Sequence, residues 1–158
     1  MAIFFYKVDE PYGCFSNFSP YGFQLQGQTW MTAEHYYQAQ KFAGTCDRHL
    51  CCLIQEAATP IEAAALGRSP VHQIRPDWEQ VKTQIMYTAV LTKFQTHTDI
   101  QTVLLSTGDQ LIIEDSPVDA YWGCGPDGRG QNQLGKTLMN VRQHLRQAMT
   151  GQQLLSNG

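Results

Sequence analysis

Asp119-Ala120-Tyr121-Trp122-Gly123-Cys124-Gly125-Pro126-Asp127-Gly128-Arg129-Gly130-Gln131-Asn132 joins a strand-like run, Gln110-Leu111-Ile112-Ile113-Glu114, to a helical pattern carrying Leu134, Leu138, Val141 and Leu145 on one face. Four glycines fall within eight residues of this linker. Glycine lets backbone adopt positive φ and approach a ligand closely. The helix start that follows offers unpaired N–H groups and a positive dipole end to an anion. The stretch therefore reads as a ligand site, with a carboxylate at Asp119 and an aromatic face at Trp122.

Outward from this linker, strand signals are few and helices dominate. Residues 3–8 are aromatic and β-branched and predict a strand. Residues 11–22 read as loop, and 23–30 as short strands turning at Gly27. Thr32 predicts an N-cap for a helix reaching about Phe42. A second helix covers 47–57, and a third runs from Pro60 to Gly67. Asp77-Trp78-Glu79-Gln80 has the character of a capping box for a long helix to about Gln95, with Trp78, Val81, Ile85, Ala89 and Phe94 at helical spacing. A short helix follows over Asp99–Ser106. The expected class is α+β: a mainly helical single domain over 1–150 with a small antiparallel or mixed sheet, and a frayed tail over 151–158. A doubly wound parallel sheet fits this order poorly.

The bulk numbers limit the function. The 158 residues carry a formal charge of −3 and are 42% hydrophobic and 16% charged, as in a globular domain. An acidic chain is a poor general binder of nucleic-acid backbone, though one phosphate needs only a small patch. No apolar run reaches the roughly 18 residues of a membrane span, and the N-terminus lacks a signal-peptide layout, so a cytoplasmic protein is expected. The five cysteines are odd in number and form no C-x-x-C pair, and the five histidines lack ligand spacing. No disulfide framework, metal or cofactor is expected from them.

Thr32-Ala33-Glu34-His35-Tyr36-Tyr37-Gln38-Ala39-Gln40-Lys41-Phe42 puts Glu34, Gln38 and Lys41 on one helical stripe. Glu34 and Lys41 are two turns apart, roughly 10 Å along the axis, which suits gripping a ligand better than a direct ion pair. The bland alternative stands beside this one: an acid in a first turn and a cation in a last turn both complement the helix dipole. Tyr36, Tyr37, Ala39 and Phe42 are expected to be core or half-core.

Three segments together resemble one family. They are Gly13-Cys14-Phe15-Ser16-Asn17-Phe18, then Trp30 through Phe42, then Asp119-Ala120-Tyr121-Trp122-Gly123 with Asn132, Leu134-Gly135 and Leu138-Met139. The chain resembles the NADAR, or YbiA-like, family over essentially its whole length, and Trp78 matches a family tryptophan. The resemblance implies a mainly helical α+β fold and an N-glycosidase acting on ribosylated heterocycles. One branch is similar to enzymes cleaving ribosylamino-pyrimidine phosphates of early riboflavin biosynthesis; another removes ADP-ribose from guanine bases. Where relatives often read W-G-D-G-G, this chain has Trp122-Gly123-Cys124-Gly125-Pro126, so the loop acid is replaced by Cys124.

Breaking an N-glycosidic bond builds positive charge on the anomeric carbon and negative charge on the departing base. The expected catalytic residues are Glu34, Lys41 and Asp119. Lys41, if desolvated, can attack the anomeric carbon and form an imine, or else stabilise the leaving group. Trp30, Trp78, Trp122 and Phe18 are candidates to stack on the base, although each tryptophan taken alone is more often core. Ser16 and Asn17 are candidates for ribose or base edges. Gly123, Gly125, Gly128, Arg129, Gly130 and Asn132 are expected to cradle a 5′-phosphate. The expected partner is a small phosphorylated ribosyl-heterocycle, with nucleic acid only as an ADP-ribosylated substrate. The alternatives are an ADP-ribosyl-guanine hydrolase and a non-catalytic nucleotide-binding module.

Overall fold

The computed structural model describes all residues, 1–158. In chain order the elements are β1 (Ala2–Phe5), β2 (Phe23–Leu25), β3 (Gln28–Trp30), α1 (Ala33–Gln40), α2 (His49–Glu56), α3 (Pro60–Arg68), α4 (Trp78–Thr96), α5 (Thr98–Ser106), β4 (Leu111–Glu114) and α6 (Gln133–Ser156). The architecture is α+β and mainly helical, as the element order implies. The small antiparallel or mixed sheet component consists of two two-stranded pieces, a parallel pair β1–β4 and an antiparallel pair β2–β3. The elements fall into two compact units, residues 17–96 and residues 1–16 with 97–158.

In the 17–96 unit, β2 and β3 form a hairpin that pairs Phe23 with Trp30. Its two turn residues, Gln26 and Gly27, have φ of 53° and 77°, the double positive φ that matches strand twist in a two-residue hairpin. Helix α1 packs on α2, α3, α4 and β3. It is buried continuously from Ala33 to Ala39, on every face. Phe23, Trp30, Tyr36, Phe42, Leu50 and Ile54 fill the core around it. Thr32 caps α1 as its sequence predicts, its side chain accepting from the His35 amide at 3.2 Å. Thr59 does the same for α3, with Pro60 in the first turn. The capping box expected at Asp77 does not form. Arg75 takes both Asp77 carboxylate oxygens, at 2.6 and 2.8 Å, and only the Asp77 carbonyl receives α4 amides.

In the other unit β1 runs parallel to β4, register Ala2↔Leu111 to Phe5↔Glu114. Helix α6 covers β4 and α5 packs on α6. Ile3, Phe5, Ile112, Leu134, Leu138 and Val141 are buried there. Past Gly151, where a frayed tail is expected, α6 runs on to Ser156 with its residues exposed. A glycine costs a helix about 1 kcal/mol, which the flanking glutamines and leucines, good helix formers, can bear.

Candidate active site

Helix α1 supplies an acid and an amine, and both are buried. Glu34 is 4% exposed and Lys41 9%. The Glu34 backbone N–H is one of the amides a helix start leaves unpaired, and it donates to the Asn17 carbonyl at 3.2 Å. Asn17 therefore anchors the loop before β2 on the first turn of α1. Its side-chain Nδ2 donates to Met86 Sδ at 3.3 Å, and Lys93, from the same face of α4 seven residues on, donates to Ser19 Oγ at 2.9 Å. The Asn17 Oδ1 is buried without a hydrogen-bond partner.

One turn along α1, Gln38 Nε2 donates to Glu34 Oε1 at 2.7 Å and orients that carboxylate. Arg68, at the end of α3, brings its Nη2 to 3.8 Å from the same oxygen. The Lys41 Nζ donates to the Gly67 carbonyl at 3.2 Å. That carbonyl belongs to the last turn of α3, where no helical amide is available to it. Gly67 is required by contact: a Cβ there would sit 2.8 Å from the Gln38 Cβ and Cδ. One residue thus receives the amine and leaves room for the side chain that holds the acid.

Two rings flank the amine. The Tyr37 and Trp78 centroids lie 5.8 and 6.0 Å from Lys41 Nζ. Burial among them lowers the Lys41 pKa from 10.5 to about 8; Glu34 opposes the drop, and the Arg68 and Lys82 charges add to it. A lysine in this state holds a substantial share of free amine near neutral pH, the form that attacks electrophilic carbon. His35 is fully buried but structural, its ring nitrogens lying 2.7 Å from Thr32 Oγ1 and 3.0 Å from the Ala57 carbonyl.

Of the expected stacking residues in this unit, Trp78 stands at the amine, while Trp30 does not act as a platform. Trp30 is 2% exposed and packs edge-on against Tyr36 at 5.2 Å, inside the core. Its alternation on a short hairpin points it inward, and burial of so large a ring outweighs its unpartnered indole N–H. Phe18 is half-buried. Gln38 was on the recognised stripe; Gly67, Arg68 and Lys82 come from α3 and α4 and carry no signal in the sequence.

The other unit holds Ser16, Asp119, Trp122 and the glycine-rich linker. Ser16 is buried and its amide donates to the Gly13 carbonyl at 3.0 Å, closing a short helical turn. Asp119 Oδ1 accepts the amides of Tyr121 and Trp122 at 2.9 and 2.8 Å, so this carboxylate shapes the turn that presents a half-buried Trp122. The linker folds back on itself. The amides of Gly130, Gln131, Asn132, Gln133 and Leu134 donate to the carbonyls of Cys124, Ala120, Gly123, Tyr121 and Trp122. Those amides, including the first two of α6, are taken by backbone carbonyls, so a phosphate cradle at this helix start would not draw on them.

The glycines serve close packing instead. A Cβ on Gly123 would lie 2.7 Å from the Ser116 Cβ, and one on Gly125 2.9 Å from the Ala120 Cβ. Gly128 has φ of 74°, and the exposed Arg129 donates its amide to Asp127 Oδ1 at 3.0 Å. Asn132, at φ 52°, imitates a strand: its side chain donates to the Ile112 carbonyl at 2.8 Å and accepts from the Glu114 amide at 3.0 Å. Cys124 donates to Asp115 Oδ1 at 3.4 Å, and burial followed by that carboxylate pushes its thiol pKa up, against a role as thiolate. No three His, Cys, Asp or Glu side chains converge as metal ligands, and no helix is long and apolar enough to cross a membrane.

The NADAR domain model matches residues 4–146 and so spans both units. The chain is similar to the N-glycosidase Npun_R5314 of Nostoc punctiforme, 59% identical over 150 residues that cover 95% of this chain and 96% of that one. It is 41% identical to the Escherichia coli N-glycosidase YbiA over 141 residues, 89% of this chain and 86% of YbiA. The solved structure of E. coli YbiA aligns with a TM-score of 0.86 at 39% identity, covering 94% of this chain and 87% of that one. A maize protein named for riboflavin biosynthesis, PYRR, is 41% identical over 155 residues, 90% of this chain but 25% of its own length. With a family model covering nearly the whole chain and relatives matching it end to end, the protein belongs to the NADAR domain family.

Proposed function

We propose that this protein is an N-glycosidase that hydrolyses ribosylamino-pyrimidine phosphates, intermediates of riboflavin biosynthesis. The observation that carries the reading is the pairing on α1 of a buried carboxylate, Glu34, with a buried amine whose pKa is about 8, Lys41. The names of the relatives, N-glycosidases and a riboflavin-biosynthesis protein, support the reaction class and substrate family.

The chemistry follows from the free amine. A ribosylamine opens its sugar ring by breaking the bond from the anomeric carbon to the ring oxygen, which takes a proton, leaving an imine to the base nitrogen. Lys41 adds to that carbon. Glu34 carries the proton from the new C–N bond to the base nitrogen, the bond to the base breaks, and the base leaves as a free amine. The remaining Lys41 imine is hydrolysed by a water that Glu34 deprotonates, releasing ribose 5-phosphate and the free lysine. The sum is addition of one water across the N-glycosidic bond. Gln38 keeps Glu34 aligned and the Gly67 carbonyl holds one Lys41 N–H, which turns the amine's lone pair away from α3. Trp78, buried and tilted against Tyr37, walls the amine on one side. Asp119 shapes the Tyr121–Trp122 turn, and we assign it that positioning role.

Base release from a ribosylamino-pyrimidine phosphate tests the function, and borohydride trapping with mass mapping to Lys41 tests the route. Absence of an adduct together with full activity in Lys41→Arg would sink the imine. Release of ADP-ribose from modified guanosine, without turnover of the pyrimidine, would move the assignment to the ADP-ribosyl-guanine hydrolase. Measurable ADP-ribose affinity with turnover of neither would mean a binding module.

A further inference from the structure

We infer that Arg68 is the residue that receives the substrate's phosphate group, at the exposed edge of the Glu34–Lys41 pair. The inference deepens the glycosidase reading and rests on it for the identity of the sugar, but the anion site itself stands on geometry.

Arg68 has two properties that a structural salt bridge lacks. Its side chain is 64% exposed while the side chain of its partner Glu34 is 6% exposed, and the two approach only to 3.8 Å, outside hydrogen-bond distance. The five N–H donors of an arginine are poorly used by such a contact, and their forked plane matches a phosphate. Gln38 already holds the same oxygen at 2.7 Å, closer than Arg68 comes to it.

The surroundings favour an anion. Lys82 lies one turn beyond Trp78 on the same face of α4, and its charge and that of Arg68 are both felt at Lys41. Glu79, which takes the Lys82 ammonium at 2.6 Å, is 74% exposed and its charge is well screened. The other arginine near α1, Arg75, is occupied by the Asp77 fork. Arg68 is left as the cation beside the acid and amine with donors to give. Its carbonyl neighbour, Gly67, binds Lys41, so a phosphate at Arg68 would lie one residue along α3 from the amine's anchor.

The phosphate could come from a ribose 5′-monoester or from the diphosphate of ADP-ribose, and the ligands separate them. Calorimetric titration would compare methyl riboside, methyl riboside 5-phosphate and ADP-ribose; the blocked anomeric carbon of the first two cannot react with Lys41. The reading is the ratio of the two riboside dissociation constants. Wild type should favour the phosphorylated form by about ten-fold or more, the range of one charge-assisted contact. Arg68→Gln should abolish most of that ratio, and Arg68→Lys should restore part of it. A gain seen with ADP-ribose alone, and lost in Arg68→Gln, assigns the same site to a diphosphate. A ratio unchanged in Arg68→Gln, or no preference in wild type, overturns the inference. Failure of base release with the ratio intact sinks only the glycosidase reading.

Discussion

Lys41 gives the sharpest prediction because one number governs both activity and stability. Its pKa falls from 10.5 to about 8. At pH 7 about a tenth of such an amine is free, against about one part in 3000 for an ordinary lysine, a gain of about 300-fold in nucleophile. The same drop has a cost in the fold. The folded pKa lies below the unfolded one, so the native state disfavours the charged lysine. The penalty is full below the folded pKa and disappears as pH rises toward 10.5; its size is about 3 kcal/mol. Replacing Lys41 with methionine removes the buried charge but leaves the Gly67 carbonyl unpaired, at about 1 to 3 kcal/mol. Lys41→Met should therefore be inactive yet no less stable than wild type at pH 7, and its relative advantage should shrink above pH 9. Trace acetylation with acetic anhydride, followed by peptide mass spectrometry across pH, reads the Lys41 titration directly. Its midpoint should fall near 8 and should move lower in Glu34→Gln, which removes the charge opposing the drop. A midpoint at the ordinary lysine value, or a Lys41→Met that unfolds well before wild type, would refute the reasoning.

Gly67→Ala should lower turnover at least about ten-fold and the melting temperature by a few degrees, because its Cβ meets Gln38; overpacking of this kind costs about 1–3 kcal/mol. In a Gln38→Ala background the same substitution should do little more, and additive losses would remove Gln38 from the explanation. Asn132→Ala should destabilise by about 2 kcal/mol in urea unfolding, through two lost strand-like hydrogen bonds and a strained φ of 52°. Asn132→Gly should recover the strain but not the bonds. Cys124→Ser should keep base release near wild-type rates, and a large loss would restore the thiol to the mechanism.

Much of α1 was legible before any tertiary information. Thr32 as N-cap and the Glu34–Gln38–Lys41 stripe follow from the 3.6-residue repeat and from a hydroxyl placed before a helix, both local. The roles of Trp30 and Trp78 were not. Both are large rings that the fold buries, and only packing puts one against Tyr36 and the other beside an amine. The glycine linker was ambiguous for a related reason. A run of glycines before a helix has the same composition whether its amides face a ligand or its own carbonyls.

The sequence by itself determined what depends on neighbours along the chain: the helices and their starts, the mainly helical α+β class, and the acid and amine two turns apart on one stripe. Only the tertiary structure decided how that stripe is used. It buried α1 on every face, brought Gly67 and Arg68 from α3 and Trp78 from α4 to the same two side chains, and so lowered the Lys41 pKa. The physical reason is that desolvation and close backbone approach depend on what packs around a group, and periodicity carries no record of residues thirty or forty positions away.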